Sequence, residues 1–535
     1  MEQFIQWRAG ILTFTAARSY ENPFLDVEIW AAFTGPSGRV IRREAYWDGG
    51  ETYRVSFAAT EPGLWRYTLE APADSGLNGV SGELECVPYT GELPIYRHGF
   101  LRVSDDGHSL AYADGTPFFW LGDTHWGFVA GETWGSNYPK MESMFKGMVD
   151  KRAEQQFTVY QTNLRSEPGR TTHYWMDGCI GTLPDVRFYQ QEVDPRMQYI
   201  ADKGLVNALG FAWAGSVLGK LELQKNLARY IVARYGALPV VWTLAGEVAG
   251  YTSTDRQACI DGWREVALLV EKLDGYGTLQ TAHYTNERPY ADYYFDEGWF
   301  DFTLNQGGHG DLPIYAYYQR EHMKKHPGKP FIEGEEMYEF VSTLEPNGSR
   351  LCTADMMRRC AYLSVQNGAC GYTYGAQGIW DTVLEKPEKP DPRNVFNRLG
   401  ITWYEAIEGE GAVQMGLMKA FYEREHFSAM RPDYDCFASN LPFADPMIAE
   451  LYAPHILATP DRTELIAYYL PTVRFPVALK GLQAKPYRAR WFDPRTGAYT
   501  PAAEFTPEDG KWEMPVKPDE KDWVLKIETV RENRK

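Results

Sequence analysis

Two segments of the sequence end in carboxylates at spacings that suit acid–base chemistry on a glycosidic bond. In Val240-Val-Trp-Thr-Leu-Ala-Gly-Glu, Glu247 closes an apolar run. In Phe331-Ile-Glu-Gly-Glu-Glu-Met-Tyr-Glu, four glutamates compete: Glu333, Glu335, Glu336 and Glu339. Paired carboxyl groups facing one pocket can split a glycoside. One protonates the leaving oxygen and later deprotonates water, and the other attacks the anomeric carbon or activates water. Glu247 is the expected acid/base and Glu335 the expected nucleophile, because Gly334 permits a tight turn at the strand end. Glu333 is in phase with Glu335 along an extended chain, so it could also point inward. Glu336 and Glu339 read as helix-start or supporting residues.

Other polar and aromatic residues also follow apolar runs. Asp123, His125, Gln161 and Asn163 could hydrogen-bond sugar hydroxyls or could brace the scaffold. Trp126, Trp213 and Trp380 could stack on sugar faces or belong to the core. With His283, Asn305, Gln306, Glu333 and Gln377 they form the expected substrate-binding set. A metal site made by His125, His283 and His309 is the competing arrangement. The sequence lacks H-E-x-x-H, G-x-S-x-G and G-x-x-x-x-G-K-[ST], so neither a metal nor a cofactor is expected. His322 and His326 form an H-x-x-x-H pair in a lysine-rich stretch that reads as a solvated helix face.

These residues need a scaffold that gathers strand ends. Between about 95 and 425, strand-like runs alternate with helical patterns. The runs include 118–122, 157–163, 204–211, 240–244, 278–283, 300–305, 330–333 and 371–374. Helices are expected over 139–156, over 218–235, and after a cap at Ser253 or Thr254, where Ile260, Trp263, Ala267 and Val270 mark one face. Eight such strands predict a closed (β/α)8 barrel, whose strand C-termini face the active site. A doubly wound sheet competes, but no G-x-G-x-x-G turn follows the first strand. Short alternating strands with Gly/Pro turns flank this region on both sides. The expected division is an N-terminal antiparallel β-sandwich over 1–92, the barrel over 93–440 and a C-terminal antiparallel β-sandwich over 441–535.

The chain has 535 residues, enough for more than one core. Aromatics reach 15%, including 17 Trp and 35 Tyr, which suits sugar clefts and large β-cores equally. A net charge of −18 disfavours phosphate backbones and anionic headgroups, so neither nucleic acid nor membrane is an expected partner. The seven cysteines include no C-x-x-C pair, and the N-terminus shows no basic start followed by an apolar core, so a cytoplasmic location is expected.

Pro117-Phe-Phe-Trp-Leu-Gly-Asp-Thr-His-Trp resembles the opening of the apiosidase-like glycoside hydrolase barrel, where PFFWLGDTAW is typical. Val240 to Glu247 resembles that family's fourth strand, and Lys329 to Glu339 its seventh, G-E-P-x-Y-E, whose first Glu is the nucleophile. That Glu maps onto Glu335. The flanking regions resemble the β-sandwich that often precedes such barrels and the collagen-binding type that follows them. Two departures stand out. Ala245-Gly246-Glu247 replaces Gly-Gly-Asp, and Glu336 replaces Pro, so the sugar could differ from apiose. The resemblance implies a retaining double displacement on a small carbohydrate, exo-acting on plant-derived oligosaccharides or glycosides. A non-catalytic carbohydrate-binding protein and a metal-dependent barrel hydrolase are the alternatives. Whether the chain forms a homo-oligomer is left open.

Overall fold

The computed structural model describes residues 2–129, 132–135, 143–164, 183–250, 254–288, 290–309, 314–342, 350–389, 397–438 and 451–530. At its centre parallel strands run in the order Val240–Gly246, Val206–Trp213, Val159–Asn163, Trp120–His125, Gly371–Tyr374, Phe331–Glu335 and Thr303–Gln306. Residues 279–285 occupy the gap between the first and last of these. This segment was expected as a full strand but makes only parallel bridges, Trp242 with Gln280 and His283 with Leu304. Its backbone still bonds both neighbours, Thr281 N–H to the Trp242 carbonyl and Tyr284 N–H to the Leu304 carbonyl. The ring therefore closes as an eight-membered barrel of the (β/α)8 type.

The barrel strands are near-continuously buried, as parallel strands covered by helices must be. Helix Leu221–Tyr235 and helix Arg256–Leu273 pack outside them, and Ile260, Trp263, Ala267 and Val270 are buried as their spacing requires. Ser253 lies outside the described residues, and Asp255 holds the N-cap position without a capping bond from its side chain. The helix expected over 139–156 is described over Met144–Glu154, with residues 139–142 outside the described set. Ser143 caps it by accepting from the Lys146 N–H.

The N-terminal module packs a five-stranded sheet on a three-stranded one, with Phe33 and Phe57 stacked between them at 3.8 Å. It is not wholly antiparallel. Glu2–Ile5 pairs parallel with Ser81–Val87, so the chain enters the module at one end of this pair and leaves at the other. The C-terminal module is a six-stranded sheet with a two-stranded partner. Its sheet recruits Arg431–Pro432, and Tyr487–Phe492 turns at Asp493 into Tyr499–Phe505. Buried ions fasten both modules to the barrel. Arg234 sits between Asp48 and Asp194, and Arg358 pairs with Asp522 at 2.8 Å.

Candidate active site

Strand Val240–Gly246 does not run straight to its end. Its register with Val206–Trp213 shifts on either side of Gly210, and Leu244 takes a left-handed φ of 57°. Such a bulge re-aims the residues that follow. Glu247 comes next, itself at φ 52°. A non-glycine residue there costs about 1–2 kcal/mol, and strain of this kind collects at functional sites. Gly246 is required because a Cβ would lie 2.5 Å from the Trp213 ring. The Ala-Gly-Glu sequence therefore presents a half-buried glutamate directly after a close glycine–tryptophan contact.

Glu335 is the last residue of Phe331–Glu335. Gly334 serves a different purpose from the expected turn. A Cβ at this position would meet Leu304 Cδ1 at 2.5 Å, so the glycine allows strand contact. It is also the extra residue of a bulge, since Asn305 pairs with Glu333 and Gln306 with Glu335.

Two side chains tie these glutamates together. The Glu247 N–H donates to Nδ1 of His283 at 3.3 Å. This leaves the ring proton on Nε2, which lies 3.2 Å from Glu335 Oε2, off the hydrogen-bond axis. Gln306, beside Glu335 in the wall, donates its amide to Glu247 Oε1 at 3.1 Å. Its own Oε1 accepts from the Asn286 N–H at 2.7 Å, which fixes the amide orientation. His309 Nε2 approaches the other oxygen of Glu335 at 3.4 Å. Burial alone would push Glu335 up, but the two imidazoles against its oxygens outweigh it and hold the carboxyl well below the usual range.

Glu333 has a different environment. Its carboxyl accepts from Asn305 Nδ2 at 2.8 Å and from the Gly307 N–H at 2.7 Å, and burial pushes it upward against those bonds. It lies in the wall beneath Glu335. Trp126 is buried with its ring against Trp213 at 5.5 Å and His283 at 5.3 Å. Its indole donates to the Tyr338 hydroxyl at 3.2 Å, and that hydroxyl also faces Glu335. Trp380 stands 6.2 Å from the Tyr338 ring and donates to Gln377 Oε1 at 3.1 Å, while the Gln377 amide is spent on Asp381.

Four expected sugar ligands are occupied inside the barrel. Asp123 pairs with Arg152 at 2.6 Å, both side chains fully buried. His125 bonds Tyr160 and Thr382, and burial pushes it down to about 3, so it is neutral. Gln161 donates to the Gly334 carbonyl and Asn163 to that of Ala212. Their partners come from helix Met144–Glu154, from strands Val159–Asn163, Val206–Trp213 and Phe331–Glu335, and from Thr382, so each bond ties a strand end to its surroundings. Glu336 and Glu339 start no helix: residues 336–338 are loop, and Glu339 accepts from the Tyr374 hydroxyl and the Gly411 N–H. Of the three candidate metal-binding histidines, His125 points elsewhere. Among the described residues no group of three or more His, Cys, Asp or Glu is placed to hold a metal ion. His322, expected on a solvated face, is buried against Phe331, and His326 bonds Asp292 at 2.9 Å.

Sequence reasoning missed Tyr338, Asn286 and Arg288 and did not place His309 against Glu335. Tyr338 stands three residues past Glu335 inside a segment already singled out, which was the available signal. Arg288 had none, because its role is to donate to the Gly307 carbonyl from a different stave. The turn they surround depends on Gly308, at φ 85°, where a Cβ would run into the Asn286 amide. Gly308→Ala is expected to cost about 1–2 kcal/mol through the backbone and to displace Asn286. Denaturant unfolding should show the loss, and unchanged stability would contradict it.

Residues 104–429, more than half of the chain, match the family described as Apiosidase-like, catalytic domain. The chain belongs to the apiosidase-like family. Residues 3–72 match a domain of unknown function, DUF5060, and residues 447–528 match the "Putative collagen-binding domain of a collagenase". Among curated proteins none matches. A "putative glycoside hydrolase" from Bacteroides vulgatus ATCC 8482 is similar in structure at a TM-score of 0.72 and 18% identity, covering 99% of this chain and all of that one. A glycoside hydrolase family 5 protein of the same organism gives 0.66 at 20% identity, covering 82% of this chain and 95% of its own. At these identities the likeness concerns the fold. The apiosidase-like barrel is thus a glycosidase scaffold, with Glu247 and Glu335 following its fourth and seventh strands.

Proposed function

We propose that the chain is a retaining, exo-acting glycosidase of small plant-derived oligosaccharides or glycosides, with Glu335 as nucleophile and Glu247 as acid/base. The observation that carries this reading is the His283 ring, which meets the Glu247 backbone on one side and the Glu335 carboxyl on the other. In the first step a Glu335 oxygen bonds the anomeric carbon as the bond to the leaving oxygen breaks, and Glu247 gives that oxygen its proton. In the second, Glu247 takes a proton from water, which attacks the anomeric carbon and frees Glu335. Donors around Glu335 keep it ionised for attack. Gln306 orients the Glu247 carboxyl through one of its oxygens. Trp126, Trp213 and Trp380 supply aromatic faces beside this pair, and a sugar C–H face is what they suit.

A mechanism-based fluorinated glycoside tests the reading. Mass spectrometry should find one sugar on the peptide containing Glu335, and an enzyme that turns over without any adduct would be inverting. Apiosides, arabinofuranosides, galactosides and glucuronides are the substrates to compare, since the Glu247 replacement alters the reach of the acid. We place the enzyme in the cytoplasm, acting on imported short glycosides. No helix among the described residues is long and apolar enough to cross a membrane. Gln306→Ala is expected to lower kcat by about 10- to 100-fold with little change in KM, because it removes a bond that orients the Glu247 carboxyl. A KM effect alone would instead make Gln306 a substrate ligand.

A further inference from the structure

Gly307 is gripped from two sides. Its N–H donates to Glu333 Oε1 at 2.7 Å, and its carbonyl accepts from the Arg288 guanidinium. Asn305 Nδ2 holds the second oxygen of Glu333 at 2.8 Å. Arg288 also donates to Asn286 Oδ1 at 2.8 Å, with its plane over the Tyr315 ring at 4.3 Å. The next residue, Gly308, donates to the Glu335 carbonyl at 3.3 Å, and the one after it is His309, 3.4 Å from the Glu335 carboxyl. Three residues thus lead from the gripped peptide to the imidazole. Glu333 also takes a hydrogen bond from the Glu335 backbone.

We propose that Glu333 and Arg288 clamp Gly307 and so position His309 against the nucleophile. They are positioning residues, and the proposal rests on the reading of Glu335 as nucleophile. A buried carboxyl beneath an ionised nucleophile is costly unless its bonds do something that an apolar side chain could not. Holding a Gly-Gly turn by an N–H on one side and a carbonyl on the other is such a task. Without the grip, the two glycines would let His309 swing away. The groups that face Glu335 are His283, His309 and Tyr338, with Glu333 on its own strand and Glu247 beyond His283. Of these, only His309 sits on the clamped turn.

Two readouts test the clamp in the full-length protein. The first is amide hydrogen exchange of residues 305–309, which needs no substrate. Arg288→Ala should speed exchange there about tenfold or more and leave the N-terminal sandwich unchanged. Glu333→Gln keeps the shape of the side chain but turns one acceptor oxygen into a donor, and should speed it less. The second is the pH profile of kcat/KM on the aryl glycoside cleaved fastest by the wild type. His309 favours the ionised form of Glu335, so His309→Ala should move the acidic limb upward. Arg288→Ala should move it the same way by a similar amount, and Arg288→Lys by less. The double variant should move it no further than His309→Ala alone. Unchanged exchange at 305–309, or a double variant showing the sum of both shifts, overturns the proposal. Full activity in Glu335→Gln would overturn the nucleophile assignment instead, and the exchange result would separate the two failures.

Discussion

Glu335→Gln is expected to lose roughly 10⁴-fold in kcat with its fold intact. The amide keeps the size of the carboxyl but cannot form the glycosyl–enzyme bond. Glu247→Ala should behave differently according to the leaving group. An aryl group that departs without a proton still permits the first step, so the covalent intermediate accumulates and a burst precedes slow turnover. Azide needs no general base, and it should restore turnover in Glu247→Ala with a product of retained configuration. In Glu335→Ala, azide takes the place of the missing carboxylate and the product should be inverted. Proton NMR of the anomeric signals reads both results. Near wild-type rates in both variants, or an inverted hydrolysis product from the wild type, would remove the proposed roles.

The legible parts of this molecule are those where one run of residues contains its own explanation. Val240 to Leu244 is apolar apart from Thr243 and leads to Glu247, and Phe331 and Ile332 lead to Glu335, so both strands could be read directly. Helix Arg256–Leu273 was legible for the same reason, through a single apolar face. The fifth stave was harder. Its polar Thr278-Leu-Gln-Thr-Ala-His forms bridges in place of a strand, and burial on both sides makes up for that. What sequence reading could not separate was a polar residue aimed at the substrate from one aimed at the scaffold. Asp123, His125 and Gln161 follow apolar runs just as Glu247 does, and their partners Arg152, Tyr160 and the Gly334 carbonyl lie 29, 35 and 173 residues away. The same holds for the grip on Gly307, where Arg288 and Glu333 come from different staves. Local pattern predicts which face a residue occupies, but only the closed barrel decides what it meets there.

That distinction gives the second large expected effect, at Arg152. Its guanidinium bonds Asp123 at 2.6 Å and Gln155 at 2.6 Å, and it lies between the rings of Phe157 and Tyr374, each 5.3 Å away. Neither member of the ion pair has any solvent exposure. Arg152→Ala leaves a buried carboxyl without its cation, and breaking such a pair costs about 3–5 kcal/mol. Burial already pushes Asp123 upward against the pull of Arg152, so the variant should relieve itself by taking up a proton. Replacing both members with apolar residues, Asp123→Leu with Arg152→Met, should recover much of the loss, because no charge is left to desolvate. Denaturant unfolding of the three proteins measures the series. If Asp123 instead bound a sugar hydroxyl, the outcome would differ: Arg152→Ala would leave stability almost untouched and raise KM, and the double variant would be the least active of the set. A strong stability loss at Arg152, reversed in the apolar pair, fixes Asp123 as part of the wall that holds the end of the first strand, and with it Trp126, against the site.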